Sequence, residues 1–95
     1  MQQRLTTDSF NLLTTKDALT PIAHLGIKKI PAKKIYLLEY TWVSFTKRHR
    51  GLSEQLITAF MQEMKLQGCQ VLPLCPYAKK YFAQHPEFNQ QLIIK

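Results

Sequence analysis

Acidic residues are scarce in this chain: six Asp and Glu stand against 13 Lys and Arg, leaving a net charge of +7. Glycine is scarcer still, with three in 95 residues. Dinucleotide and Walker phosphate loops need several glycines at fixed spacing, so both are excluded. There are two cysteines, Cys69 and Cys75. They lie in one short segment, where a disulfide is not expected in a reducing compartment. No second Cys/His pair completes a zinc site, so no metal is expected and Cys69 reads as a small buried hydrophobe. No apolar run approaches the roughly 18 residues of a membrane span, and no early run is flanked as a signal peptide would be. The expected address is cytoplasmic. Internal repeats and low-complexity segments are also missing. What is present is enough apolar matter, 45% hydrophobic and 11% aromatic, to fold as one domain over residues 1–95.

The positive charge is concentrated. Arg4 and Lys16 balance Asp8 and Asp17 in the first 27 residues. Between residues 28 and 50, Lys28, Lys29, Lys33, Lys34, Lys47, Arg48 and Arg50 face only Glu39. An anionic partner is implied, and a phosphate-bearing cofactor or a nucleic acid would each satisfy it. The four lysines from 28 to 34 alone read as the solvated end of a hairpin.

Ser9–Thr15 is β-favouring, and Pro21–Ile27 reads as a second strand, with Ala23, Leu25 and Ile27 on its apolar face. On the other face His24 reads as a surface or edge histidine. A turn over Lys28–Lys34 leads to the longest β-like run, Ile35–Phe45, whose aromatic content suits a strand covered on both faces for part of its length. The period then changes. Leu52, Leu56, Ile57, Phe60, Met61 and Met64 mark one face of a helix, which Gly68 would end. Gln70–Cys75 has strand length, Pro76 opens a second helix to about Gln84, and Glu87–Ile94 forms a last turn or helix. Strand, strand, strand, helix, strand, helix is the order of an α/β (α+β) domain with a mixed sheet.

Lys47-Arg48-His49-Arg50-Gly51-Leu52-Ser53 lies between the long strand and the amphipathic helix. A helix start leaves its first N–H groups unpaired at the positive end of the dipole, which makes an anion site. Gly51 and Ser53 are small enough for close approach, and Arg48 and Arg50 bring forked donors suited to phosphate oxygens. Against this stands the plain reading of a turn glycine between solubilising arginines.

Arg48–Ser53 resembles the Arg/Gln-x-x-Gly-x-Gly/Ala coenzyme A loop of the GNAT acetyltransferase superfamily. Val71-Leu72-Pro73-Leu74-Cys75-Pro76-Tyr77, then Tyr81, then His85-Pro86-Glu87-Phe88 are similar to a signature of minimal GNAT-like proteins of about one hundred residues. Thr41 and Val43 match that family's strand end, with Tyr40 in place of its usual His and Trp42 in place of its Glu. The resemblance implies a GNAT-like, mainly antiparallel sheet with a strand–helix–strand unit that binds acetyl-CoA (coenzyme A). It places Arg48, His49, Arg50, Gly51, Leu52 and Ser53 at the pyrophosphate. Trp42 and Val43 would lie beside the pantetheine arm, and Cys75, Pro76 and Tyr81 beside the thioester.

Direct transfer to an amine needs a base, a donor for the thioester carbonyl and a proton for the leaving thiolate. Tyr77 or Tyr81 is a candidate proton donor, with packing on the sheet as the plain role for Tyr81. Cys75 is a candidate nucleophile or a pocket-lining thiol. The expected function is acetyl transfer to an exposed lysine or small amine, which makes an N-acetyltransferase. Two alternatives stand beside it: an inactive GNAT-like coenzyme A-binding or interaction protein, motivated by Tyr40 and Trp42, and a basic nucleic-acid module. The neutral surface of the amphipathic helix argues against the last, because the basic residues flank the helix instead of lining it.

Overall fold

The computed structural model describes residues 2–14, 20–45 and 51–93. In chain order the elements are β1 (Gln2–Leu5), β2 (Ser9–Leu13), β3 (Ala23–Lys29), β4 (Ile35–Val43), α1 (Leu52–Gln67), β5 (Gln70–Pro73) and α2 (Pro76–Ala83). A 3₁₀ turn over Pro86–Gln91 follows. The strands form one sheet in the order β1-β2-β3-β4-β5. The first four are antiparallel neighbours, and β5 joins β4 in parallel. The expected mixed, mainly antiparallel sheet with its β4–α1–β5 unit is therefore present.

Alternation decides which face is buried. Phe10 and Leu12 on β2, Ala23, Leu25 and Ile27 on β3, and Tyr36 and Leu38 on β4 all point into the core. The helix periodicity matches them. Leu52, Leu56, Ile57, Phe60, Met61 and Met64 are the buried residues of α1. Each such side chain contributes about 1.5–3 kcal/mol on leaving water. Phe60 anchors the layer, with its ring 5.6 Å from Phe10 and 6.1 Å from Tyr36. Gly68 ends α1 in the left-handed region at φ 69, and the Cys69 N–H reaches back to the Met64 carbonyl at 2.8 Å.

Both helices lie on the same side of the sheet. The Tyr81 hydroxyl of α2 and Thr58 Oγ1 of α1 are 2.9 Å apart, and Gln91 Nε2 donates to the Met61 carbonyl at 2.8 Å. No described helix covers the opposite face. Of the long strand, expected to be covered on both faces for part of its length, the end is open on this side: Tyr40 and Trp42 are 48% and 38% exposed. A second difference explains their position. The register of β3 and β4 shifts between Gly26 and Ile27, so that Gly26 pairs with Tyr40 while Ile27 pairs with Leu38. Glu39 is the extra residue of a bulge, which turns the strand at this point.

Candidate functional site

β4 and β5 run together only briefly. Their pairing begins at Ile35 and Gln70 and ends at Leu38 and Pro73. The N–H groups of Leu74 and Cys75 then converge on the Leu38 carbonyl at 2.9 and 3.0 Å, and the chain turns away into α2 at Pro76. Among the described residues no strand pairs with Glu39–Val43 on that side of β4. The bulge at Glu39 and the short β5 part the two strands beyond Leu38 and Pro73, and the space between them is the candidate cleft. Its walls are the end of β4, the first turn of α2 and the start of α1.

Cys75 sits at the N-cap of α2 with an extended backbone, and Pro76 takes the next position, where a missing N–H costs nothing. Its thiol is buried and lies 3.4 Å from Thr41 Oγ1, so this pair bridges the cleft from β4 to α2. Cys69 is also a free buried thiol, on the far side of the fold, 3.9 Å from the Gln67 carbonyl. Among the described residues no three His, Cys, Asp or Glu side chains converge on a possible metal position.

Tyr77 is half-exposed in the first turn of α2. Burial pushes its hydroxyl pKa up, and the nearby Glu54 carboxylate adds to that, while hydrogen bonding with Ser53 acts the other way. Those influences place the Tyr77 hydroxyl against the first turn of α1. Tyr81 is buried one turn further on, held by Thr58, with His85 stacked on its ring at 4.1 Å. His85 Nδ1 in turn lies 3.3 Å from Glu87 Oε2, an exposed pair. Tyr81 is thus held in place, and its hydroxyl points to α1.

Gly51 caps the N-terminus of α1 at φ 70, with no side-chain cap. A Cβ built there would meet nothing within 4 Å. Within the protein, then, glycine is required at 51 by the backbone conformation and not by crowding. The Leu52 side chain goes into the core, which leaves only its backbone toward the cleft, and Ser53 is half-buried. Val43 packs partly against the core opposite Ala23, whereas the Trp42 side chain is on the uncovered face. Arg48, His49 and Arg50, assigned to the pyrophosphate from the sequence, lie outside the described residues.

The GCN5-related N-acetyl-transferase family model matches residues 13–92. The chain belongs to that family. Its fold is similar to the NMR solution structure of a GCN5-like protein from Staphylococcus aureus, with a TM-score of 0.72 at 13% identity. That likeness covers 97% of this chain and 87% of the other. No curated protein matches the sequence. As a GCN5-related chain it carries the divergence of β4 from β5, which is where the sequence resemblance located the cofactor. No helix among the described residues is long and apolar enough to cross a membrane.

Two contacts of the site had no signal in the sequence. One is the Thr41–Cys75 pair, 34 positions apart, and the other is Thr58 beneath Tyr81, 23 apart. Thr41 fits the strand-end motif and Thr58 belongs to none, and only the folded arrangement brings either to its partner.

Proposed function

We propose that this chain binds acetyl-CoA in the cleft between β4 and β5 and transfers the acetyl group to a primary amine, either an exposed lysine or a small amine. The observation that carries this reading is the parting of β4 and β5 after Leu38 and Pro73, next to the start of α1. The residues suit the group. The uncapped N–H groups of α1 at Leu52 and Ser53, together with the dipole behind them, would hold the pyrophosphate, with Arg48, His49 and Arg50 adding charge. Glu39–Trp42, beside which β5 no longer runs, offers backbone N–H and C=O groups that suit the amides of the pantetheine arm.

Acetyl-CoA supplies an activated acetyl group: the amine nitrogen bonds to the carbonyl carbon, the C–S bond breaks, and coenzyme A departs as a thiol. The protein must provide the proton that the sulfur takes up and accept the one that nitrogen loses. Tyr77 is suited to the first role by its place in the first turn of α2 beside the start of α1, with a hydroxyl that is protonated at neutral pH as any tyrosine's is. Cys75 lines the cleft beside Thr41, and in a two-step route its sulfur would carry the acetyl group before the amine does. The cytoplasm, where acetyl-CoA and protein amines coexist, is the compartment this chemistry implies.

One observation favours a second reading, cofactor binding without transfer. Tyr40 and Trp42 both turn away from the core and pack on His24, so neither offers an acid or base to the cleft. Titration calorimetry with coenzyme A tests the shared part of both readings. Arg50→Glu and Gly51→Glu are expected to weaken binding by more than about tenfold, the loss of one charge-assisted contact. Unchanged affinity in both variants would remove the pyrophosphate assignment. Turnover with an amine panel separates transfer from binding alone.

A further inference from the structure

The uncovered face of the sheet has a chemistry that the cleft does not use. A Cβ on Gly26 would fall inside the ring of Tyr40. The ring therefore lies flat on the Gly26 backbone, covering it, and turns its other π-face outward, with Tyr40 48% exposed. His24, the next residue of β3 on this face, stands across both neighbours. Its ring centroid is 5.5 Å from Tyr40 at 78° and 5.2 Å from Trp42 at 86°. Two aromatic faces are thus held in place by an imidazole set between them, at little entropic cost to any ligand that stacks on them.

The charge around this platform is positive. Lys28 shares the face, two positions beyond Gly26, and Lys29, Lys33 and Lys34 lie at the adjoining hairpin end. The bordering acids are Glu39 at the bulge and Asp8 before β2. Flat rings, neighbouring cations and a net charge of +7 complement a chain of bases and phosphates. The neutral surface of α1 speaks against reading a duplex groove. It has no bearing on a sheet whose exposed aromatics receive unstacked bases, which needs no recognition helix.

We propose that this face binds single-stranded nucleic acid, with bases stacked on Tyr40 and Trp42 and phosphates held by Lys28 and the hairpin lysines. Duplex bases, already stacked on one another, are not available to these rings.

Trp42 is the only tryptophan of the chain, so its fluorescence reports the platform directly. The intact protein is titrated with single strands of about twelve nucleotides, as DNA and as RNA, long enough to span one binding site. Saturable quenching that weakens as salt rises is expected in at least one arm, and the two arms show which sugar is preferred. Tyr40→Ala is expected to weaken binding about five- to hundredfold, whereas Tyr40→Phe preserves it. Thermal unfolding midpoints establish that both variants are folded. Oligonucleotide binding without quenching would mean attraction to lysines alone and overturns the proposal. Equal binding by wild type and Tyr40→Ala overturns it too, as does quenching produced by coenzyme A but not by the oligonucleotides.

Discussion

Gly51 and Gly68 bound the same helix with nearly the same backbone, φ 70 and φ 69. Neither site is crowded: a Cβ at Gly51 meets nothing within 4 Å, and one at Gly68 meets only Lys34 Nζ at 3.9 Å. Replacing either by alanine therefore costs only what the left-handed conformation costs an L-residue, about 1–2 kcal/mol. Loss of chain entropy in the unfolded state offsets about 0.4–1 kcal/mol of that. Each variant should thus lose about 0.5–1 kcal/mol, a fall in Tm of about 2–8 °C for a domain of this size. Coenzyme A binding should separate them. If the pyrophosphate rests against the Gly51 backbone, the new methyl group intrudes on it. The loss of one charge-assisted hydrogen bond, about 1.5–3 kcal/mol, weakens Kd about ten- to hundredfold. Gly68→Ala, at the far end of α1, should bind as wild type does. Urea unfolding and calorimetry on the same preparations measure both effects. Matched stability losses with wild-type affinity in both variants would refute the cradle. An unaltered stability in either would refute the conformational reasoning.

Other consequences are checked more briefly. Phe60→Ala removes a fully buried ring that packs on Phe10 and Tyr36, and should cost about 3–5 kcal/mol in urea unfolding. Against a total of about 5–15 kcal/mol that is a large fraction, and a loss below about 1 kcal/mol would contradict the packing described. Burial holds the His24 pKa below its ordinary 6.5, against a weaker opposing pull from Asp8. The unfolded chain then binds the proton more readily, so this contribution is complete above pH 6.5 and is lost as pH falls toward the folded value. His24→Gln should flatten the decline of Tm on acidification below that point, and an identical profile would refute the assignment. Cys75→Ala tests the covalent route. Loss of transfer with retained coenzyme A binding is expected if sulfur carries the acetyl group, whereas full transfer limits Cys75 to lining the cleft.

Helix α1 was legible because its burial follows a single period: the six apolar positions read from the sequence are the six that are buried. Pro76 and Gly68 marked their boundaries by backbone chemistry alone. β1 was missed for the opposite reason. Gln2, Gln3 and Arg4 are exposed on an edge strand, so no apolar alternation announces it. The bulge at Glu39 left no trace in composition either, yet it sets which face Tyr40 and Trp42 occupy. The motif residues of the site were readable as types at fixed spacing. Their contacts were not, because Thr41, Thr58 and Gly26 meet their partners only through strands and helices distant in the chain.

The most direct test of the central claim is native mass spectrometry of the purified chain, with and without added acetyl-CoA. One coenzyme A or acetyl-CoA per chain is expected in the wild type, and its loss in Gly51→Glu under the same conditions. A wild-type spectrum that shows only the bare polypeptide, even with the cofactor in excess, would contradict it.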